Sequence, residues 1–330
     1  MSAPALLEIK DLKKEFRLKY GVVDAFMRKP RKVLKAVDGV SFNVHLGESF
    51  GIVGESGCGK STLAKTIMRL YRPDSGSITL NGRDISHLTR AGLRKEARSI
   101  QMIFQDPYSS LNPRMSVRET LKEALKVHKM CASDEMDDRI IHLLGLVGLN
   151  DYQADRMPGE FSGGQRQRIG IARALALEPR IIIADEPVSA LDVSIQAQVI
   201  NLLLDLREQL ELTTMFISHD LRVVKYISNR VAVMYLGKIV ELANSDDLFR
   251  KPQHPYSQIL IKAAPSLDRK NNLDTEAVRG NLPSPTALPS GCRFHPRCPF
   301  MKESCRESEP VLSEISPGHF AACHAVSDTK

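Results

Sequence analysis

Gly54-Glu-Ser-Gly-Cys-Gly-Lys-Ser61 is the stretch that decides the fold of this chain. It satisfies the pattern G-x-x-x-x-G-K-[ST], in which backbone amides surround the phosphates of a nucleotide. The apolar run 50–53 before it predicts a buried strand, and residues 62–70 after it predict a helix. The start of that helix adds roughly half a positive charge to the loop amides. The stretch therefore predicts a nucleoside triphosphate site in an α/β fold.

Side chains in and near this loop carry the predicted binding chemistry. Lys60 supplies a positive charge for the β- and γ-phosphates, and Ser61 supplies a hydroxyl ligand for Mg²⁺. Phe16, after a predicted strand 6–12, is the candidate for stacking on adenine, with a core position as the alternative. The remaining predicted nucleotide ligands come from the loop and the residue after it: Gly54, Glu55, Ser56, Gly57, Cys58, Gly59 and Thr62.

Polar residues follow two further predicted strands. Gln105 follows the strand 100–104, and Asp185 and Glu186 follow the apolar run 181–184. Such a run is typical of a parallel strand that is covered on both faces. Carboxylates at the carboxyl ends of parallel strands lie where α/β sheets bind ligands. We predict that Asp185 holds Mg²⁺ and that Glu186 orients and deprotonates the attacking water. The alternative is that the two carboxylates only cap the end of the strand.

Two more segments complete the predicted site. His219 ends the strand 213–217 at the same predicted sheet edge, so we expect it to contact the γ-phosphate. Phe161-Ser-Gly-Gly-Gln165 leads into a helix that runs to about residue 176. A serine is a favoured N-cap, and the amides at a helix start bind anions. The predicted anion ligands in this segment are Ser162, Gly163, Gly164 and Gln165.

Length and composition limit the class of protein. The chain has 330 residues, 42% of them hydrophobic, which suffices for one large α/β domain and an appendage. It has no run of about 18 apolar residues that would predict a membrane-spanning helix. Residues 1–7 show neither the basic nor the long apolar part of a signal peptide. We therefore expect a cytoplasmic protein.

The charge distribution argues against a nucleic-acid partner. The net charge is +7, and residues 10–35 account for all of it with ten basic and three acidic residues. The rest of the chain is balanced, so the basic character is local rather than spread over a binding face. The segment is interpreted as a solvated loop, or as a contact for ATP, a partner or anionic lipid.

The order of predicted elements suggests separate regions. The strand 77–80 and the turn Asn81-Gly82 predict a β-hairpin, and residues 115–152 show apolar residues at helical spacing. Residues 264–290 are polar and contain several prolines, which is typical of a linker. The last segment, 291–330, is too short for an apolar core without a staple.

Four cysteines in that last segment predict a metal site. Cys292, Cys298, Cys305 and Cys323 are spaced C-x5-C-x6-C-x17-C. In a cytosolic chain such a cluster favours metal binding over disulfides. Four thiolates hold either a tetrahedral zinc ion or an iron–sulfur cluster, and free thiols are the remaining alternative. Zinc sites usually contain a tight C-x2–4-C pair, which is absent here, and the wider spacing suits a bulkier cluster.

The ordered motifs resemble those of ABC-transporter nucleotide-binding subunits over residues 6–263. One position departs from the family pattern, because Phe161 stands where leucine is usual. It is not a phosphate contact, so little effect is expected. The motifs that carry the resemblance are the phosphate loop 54–61, Gln105 of the Q-loop, the signature 161–165, Asp185-Glu186, the D-loop 189–192 and His219 of the switch.

The resemblance implies a fold and a mechanism. The fold would be an α/β ATPase core with an antiparallel β subdomain and an inserted helical subdomain, plus a small Cys-rich C-terminal extension. The nucleotide-binding domain would span 1–263, with the helical subdomain at about 106–176. Two subunits would pair head-to-tail, each signature closing over the ATP of the other. Glu186 would be the base, His219 would sense the γ-phosphate, and Gln105 would ligate Mg²⁺ and couple the site to a membrane partner.

Further motifs are similar to those of the dipeptide/oligopeptide importer subfamily, most of all its dipeptide-type F subunit, which pairs with a D-type ATPase. These are residues 105–114, His254-Pro-Tyr256, Leu282-Pro-Ser-Pro285 and the cysteine-bearing tail. The subfamily implies a four-iron four-sulfur cluster, two integral membrane permeases, a periplasmic or surface solute-binding protein, and a peripheral position on the cytoplasmic face of the bacterial inner membrane. Glutathione, murein-peptide and nickel importers are the alternatives. A soluble ABC ATPase is less expected, because the chain has one cassette and no heptad run.

Overall fold

The structure is a computed structural model that describes residues 5–18, 32–263 and 283–327. Most of the predicted linker and part of the basic segment 10–35 lie outside the described residues. The chain forms two compact units. The first consists mainly of Leu88–Ser218, and the second of Ala5–Val44, Phe50–His87 and the chain from His219 onward.

The strands and helices follow each other along the chain in a mostly alternating order. The strands are β1 (Ala5–Arg17), β2 (Val33–His45), β3 (Ser49–Val53), β4 (Ser75–Leu80), β5 (Arg83–Asp84), β6 (Ile100–Ile103), β7 (Ile181–Asp185), β8 (Thr213–Ser218), β9 (Arg230–Tyr235), β10 (Lys238–Asn244), β11 (Ser313–Ser316) and β12 (His319–Ala321). The α-helices are α1 (Lys60–Ile67), α2 (Arg90–Glu96), α3 (Pro107–Ser110), α4 (Val117–His128), α5 (Met136–Leu146), α6 (Gly163–Leu175), α7 (Val193–Gln209), α8 (Leu221–Ile227), α9 (Ser245–Arg250), α10 (Pro255–Ala263), α11 (Ser304–Glu307) and α12 (His324–Ser327).

The first unit contains the parallel strands β6, β7 and β8. Ile181 of β7 pairs with Ile100 of β6 on one side and with Thr213 of β8 on the other. All five residues of β7 are buried, which agrees with the continuous apolar run that predicted a doubly covered strand. The parallel register places the carboxyl ends of these strands at one edge, where Asp185 lies.

Helices occupy most of the stretch 115–152 of the first unit, as predicted. Helix α4 begins with a capping box, in which Ser116 Oγ accepts from the Glu119 amide at 3.2 Å and a Glu119 carboxylate oxygen accepts from the Ser116 amide at 2.8 Å. The helix ends at Lys129, whose φ of 52° is left-handed. The sequence pattern predicted helical spacing here, and the cap and the left-handed residue divide that pattern into α4 and α5.

The second unit contains an antiparallel sheet with the strand order β2-β1-β4-β5. Leu7 of β1 pairs with Leu80 of β4, which in turn pairs with Arg83 of β5. The predicted Asn81-Gly82 turn joins β4 to β5, with φ values of 49° and 77°. Positive φ at both central residues is the two-residue hairpin geometry that this dipeptide favours.

The second unit also contains β3, β9 and β10, with two strands from the C-terminal segment added. Strand β3 runs parallel to β9, and β9 forms the predicted hairpin with β10. Strand β12 pairs antiparallel with β10, where Glu241 faces Ala321, and β11 pairs with β12. The C-terminal segment is thus joined to its own chain by main-chain hydrogen bonds. No helix within the described ranges has the length and apolar character needed to cross a membrane.

Candidate functional site

The phosphate loop of the second unit requires glycine at two positions. Gly54 has a φ of 155° and Gly59 has a φ of 111°. A Cβ on Gly54 would lie 2.2 Å from the carbonyl oxygen of Met234, and one on Gly59 would lie 2.1 Å from that of Ala36. Both obstructing atoms belong to the backbone, which cannot shift to make room as readily as the end of a flexible side chain. The glycines therefore set the path of the loop, as the motif predicted.

Lys60 is buried at the first position of α1, with only 4% of its surface exposed. Its ammonium donates to the carbonyl oxygens of Gly54 at 2.8 Å and Glu55 at 3.1 Å. The N-cap residue Gly59 makes no side-chain cap to the amides of the helix start. A buried ammonium beside the N-terminus of a helix is an arrangement that suits a bound phosphate.

Cys58 belongs to the same loop, and it is buried. Burial raises the pKa of its thiol, although the nearby ammonium of Lys60 opposes that shift. Its carbonyl oxygen accepts a hydrogen bond from the Gly237 amide at 2.8 Å, which ties the loop to the β9–β10 turn. The residue therefore supports the loop as a neutral, packed side chain.

Phe16 is half-buried near the end of β1. Its ring meets that of Tyr71 edge-on, with centroids 5.3 Å apart and planes at 82°. The Lys14 ammonium lies 5.3 Å from the centroid of the same ring. These contacts hold the half-buried ring against neighbours within the second unit, and its stacking on adenine stays a prediction.

Gln105 and Glu186 come together in the first unit. The side-chain amide of Gln105 donates to a Glu186 carboxylate oxygen at 3.2 Å. Glu186 has a φ of 47°, and its amide donates to the carbonyl oxygen of Ile217 at 2.9 Å. Asp185, the residue before it, is 2% exposed. The end of β7 thus presents two carboxylates with one amide side chain, a set of oxygen donors that suits Mg²⁺ and water.

The segment before α6 forms a capping box. Ser162 Oγ accepts from the Gln165 amide at 3.3 Å, and the Gln165 side-chain oxygen accepts from the Ser162 amide at 3.0 Å. A Cβ on Gly164 would lie 2.4 Å from a methyl group of Ile195, so this glycine lets two helices approach. Phe161, the departure from the family pattern, is buried. Its side chain therefore serves packing, and the expected lack of effect on a ligand stays a prediction.

His219 lies directly after β8, in the second unit, and its side chain is exposed. The next residue, Asp220, caps α8 by accepting from the Arg222 amide at 2.9 Å. The position after a strand end agrees with the prediction, and the contact of His219 with a γ-phosphate stays a prediction.

Known proteins match this chain over the region that contains these motifs. A family model described as ABC transporter matches residues 37–189, and one described as oligopeptide/dipeptide transporter, C-terminal region, matches residues 240–305. The oligopeptide transport ATP-binding protein AppF of Bacillus subtilis (strain 168) is 53% identical over 98% of this chain and 98% of its own length. The chain belongs to the ATP-binding proteins of oligopeptide/dipeptide ABC transporters.

Other relatives of this ABC ATPase agree. The B. subtilis protein YkfD is 49% identical over 97% of this chain and 95% of its own length. The solved dimeric ATP-binding cassette MJ0796, bound to ADP and Pi, is 28% identical with a TM-score of 0.63. It covers 72% of this chain and 98% of its own. The predicted ABC-type α/β fold is therefore confirmed.

The sequence prediction missed several residues of this ABC ATPase that lie late in the chain and contact the phosphate loop or its surroundings. The Tyr256 hydroxyl accepts from the Glu55 amide at 2.9 Å. The Arg297 guanidinium pairs with the Glu55 carboxylate at 2.8 and 2.9 Å. Arg293 bonds to Asp38 and to the Leu236 carbonyl oxygen. The only sequence signal was the subfamily motif that contains Tyr256, and it carried no indication of a partner.

The buried carboxylate of Glu241 anchors the segment around His254 and strand β12. Glu241, on β10, accepts from the amides of Gln253 at 2.7 Å and His254 at 2.9 Å, and its carboxylate pairs with His319 Nε2 at 2.7 Å. Burial lowers the pKa of His254 to about 4, although Glu241 opposes that shift, so the ring is neutral at pH 7. Its Nδ1 accepts from the Tyr256 amide at 3.1 Å. The network fixes the loop-binding Tyr256 and strand β12 to the same strand.

The four tail cysteines of this ABC ATPase are neighbours. Cys305 and Cys323 are buried, and the Cys292 amide donates to the Cys305 carbonyl oxygen at 2.8 Å. Burial raises the pKa of Cys292 to about 11, and the other three thiols reinforce that shift. Among the residues described, no three His, Cys, Asp or Glu side chains form a group that could hold a metal ion. A single zinc ion, with sulfur ligands at about 2.3 Å, does not fit this arrangement.

Proposed function

We propose that this chain is the ATP-hydrolysing subunit that powers uptake of di- and oligopeptides through a membrane transporter. One observation carries the proposal. The identity to a named oligopeptide transport ATP-binding protein extends over 98% of both chains, which includes the C-terminal region as well as the ATPase motifs. A shared ATPase fold alone would leave the transported solute open.

The residues have distinct proposed roles. Lys60 and the amides of the loop bind the β- and γ-phosphates of ATP, while Ser61 and Asp185 hold Mg²⁺, Asp185 mostly through water. Gln105 approaches the metal through its amide oxygen. Glu186 accepts a proton from the attacking water, and His219 contacts the γ-phosphate. The pairing of Gln105 with Glu186 at 3.2 Å supports these roles because it brings an oxygen donor for the metal beside the base.

The partners follow from the proposed role. Two ATPase subunits pair head-to-tail, so that the signature segment Ser162–Gln165 of one closes over the ATP of the other. A related but distinct ATPase chain is the proposed partner. Two integral membrane permeases and a periplasmic or surface solute-binding protein complete the complex. The chain then lies on the cytoplasmic face of the inner membrane as a peripheral subunit.

The intact complex tests the transported solute. We expect ATP hydrolysis by the complex, reconstituted with its solute-binding protein, to rise several-fold with di- and oligopeptides. Glutathione, murein peptides and nickel are the matched alternatives, because importers of these solutes are the nearest competing assignments. Stimulation by one of these and by none of the peptides would overturn the peptide assignment and leave the ATPase role intact.

We also propose that the four tail thiols bind an iron–sulfur cluster. A cubane cluster places its four cysteine ligands on four different iron atoms, so its ligands need not meet at one point. The proposal rests on the chemistry of the donor set, because four cysteine thiolates are the usual ligands of such a cluster and the tail contains four cysteines. When bound, the cluster would supply a structural link within the tail. The cysteines themselves would then hold the segment that carries Arg293 and Arg297.

Elemental analysis tests the cluster. The protein purified without oxygen should contain about four iron and four sulfide per chain and should absorb broadly in the visible range. Cys298→Ser should lose most of the iron, whereas Cys131→Ser, a cysteine far from the tail in sequence, should keep it. Zinc in stoichiometric amount, or no metal at all, would contradict the proposal.

A further inference from the structure

The phosphate loop carries a negative side chain where the proposed ligand is a polyanion. Glu55 is the second residue of the loop, and its carboxylate is 25% exposed. An unpaired carboxylate beside the phosphates of ATP would repel them, more strongly in a partly buried site than in water. The loop therefore needs a compensating charge near this position.

Arg297, from the C-terminal tail, supplies that charge. Its two terminal nitrogens donate to the two oxygens of Glu55 at 2.8 and 2.9 Å, which is the bidentate geometry of the strongest ion pairs. The Arg297 side chain is only 6% exposed. The pKa of Arg297 is raised above its ordinary value, chiefly by the hydrogen bond to Glu55. The pair joins residues 242 positions apart in the chain.

Aromatic rings hold Arg297 in place. The guanidinium lies 5.9 Å from the ring centroid of Tyr235 and 6.0 Å from that of Phe294. The Tyr256 ring packs against both of these rings, at 4.6 and 5.5 Å. Arg297 Nε is a buried donor without a hydrogen-bond partner in the described part of the chain. In this orientation both terminal nitrogens of Arg297 donate to Glu55, while Nε is left without an acceptor.

The backbone of Glu55 is fixed from the same side. Its amide donates to the Tyr256 hydroxyl at 2.9 Å, while its carbonyl oxygen accepts from Lys60 at 3.1 Å. Tyr256 thus holds the main chain of the loop, and Arg297 holds the side chain. Both contacts come from segments that follow the ATPase motifs in sequence.

We propose that Arg297 is a positioning residue for ATP binding, which neutralises Glu55 and turns its carboxylate away from the phosphates. The inference rests on the proposed role of Gly54–Ser61 in binding ATP. It assigns the tail a function in nucleotide affinity through charge, in addition to any structural role.

Binding of Mg·ATP and of a non-hydrolysable ATP analogue to the full chain tests the inference. Arg297→Met should raise Kd and KM about tenfold and leave kcat within about twofold, because the unpaired Glu55 repels the phosphates. Glu55→Gln should tighten binding about threefold, since Arg297 then adds a net positive charge. In the double variant Glu55→Gln/Arg297→Met, at least half of the increase in log Kd caused by Arg297→Met should be reversed.

The opposite signs of the two single variants separate charge from structure. If the pair merely stabilised the fold, both single variants would weaken binding and the double variant would stay weak, which would overturn the inference. An unchanged Kd in Arg297→Met would overturn it as well. Arg297→Lys keeps the charge but loses the planar fork, so it should raise Kd about threefold. This variant tests the inference if Arg297→Met does not fold.

Two controls complete the design. Arg306→Met removes an exposed arginine of the same tail and should leave Kd unchanged. Lys60→Ala tests the underlying site. If Lys60→Ala binds ATP as well as the unaltered protein, the proposed loop role fails, whatever Arg297 does. If Lys60→Ala loses binding while Arg297→Met does not, the loop role stands and the inference about Arg297 fails.

Discussion

Glu186→Gln should lower the rate of ATP hydrolysis by about 10²–10⁴-fold and leave ATP binding intact, since general-base catalysis contributes about that much. The substitution removes the proton acceptor and keeps the shape of the side chain. Glutamine can still take the hydrogen bond from Gln105 through its oxygen, so the local structure at 3.2 Å should persist. Because ATP is bound and not cleaved, the variant should accumulate as an ATP-bound pair of subunits.

Single-turnover hydrolysis and light scattering in the presence of Mg·ATP measure the two effects. Glu211→Gln is a matched control, because Glu211 shares the left-handed backbone of Glu186 in the same unit, with φ values of 51° and 47°. It should hydrolyse ATP normally. Hydrolysis by Glu186→Gln at the normal rate would contradict the role of Glu186 as base.

Lys60→Ala should weaken ATP binding by about one to two orders of magnitude. Lys60 is 4% exposed, and a charge-assisted hydrogen bond of such a group contributes about 1.5–3 kcal/mol, with each 1.4 kcal/mol equal to tenfold in affinity. The ammonium contacts the Gly54 and Glu55 carbonyl oxygens at 2.8 and 3.1 Å, so it already lies within the loop. Its loss removes the full charge that the loop offers to the phosphates.

Isothermal titration with Mg·ADP and with a non-hydrolysable ATP analogue measures this loss. Lys65→Ala is the matched control, because Lys65 lies on the same helix α1 and is half-buried. It should bind with near-normal affinity. Since Lys60 also satisfies two backbone carbonyl groups, thermal unfolding of Lys60→Ala should be measured alongside. Equal affinities for Lys60→Ala and the unaltered chain would refute the assignment of the loop.

The sequence predicted the local elements of the fold well because their signals are local. The apolar run 181–184 specified strand β7, and the Asn81-Gly82 dipeptide specified its hairpin turn. Helix α1 was predicted over 62–70 and instead spans Lys60–Ile67. Its start is set by the backbone of Gly59, and Arg69 adopts a left-handed φ of 60° just beyond its end. Apolar spacing does not encode either of these backbone conformations.

Contacts between distant segments escaped the sequence prediction. Glu55 was assigned to the nucleotide on the strength of the motif alone. Arg297, which pairs with the Glu55 carboxylate, lies in a tail that was interpreted only through its cysteines. The hydrogen bonds of Glu241 to the segment at His254 and to His319 are likewise long-range. The contact of Glu241 with His319 depends on strand β12 joining β10, which no spacing within the tail predicts.

The most direct test of the whole account is the accumulation of a labelled peptide inside proteoliposomes that contain the intact transporter complex. With ATP supplied on the side of the ATPase subunits, the unaltered chain should drive accumulation, and Glu186→Gln should bind ATP but accumulate nothing. Accumulation at the normal rate with Glu186→Gln would contradict the claim that hydrolysis by this chain powers peptide uptake.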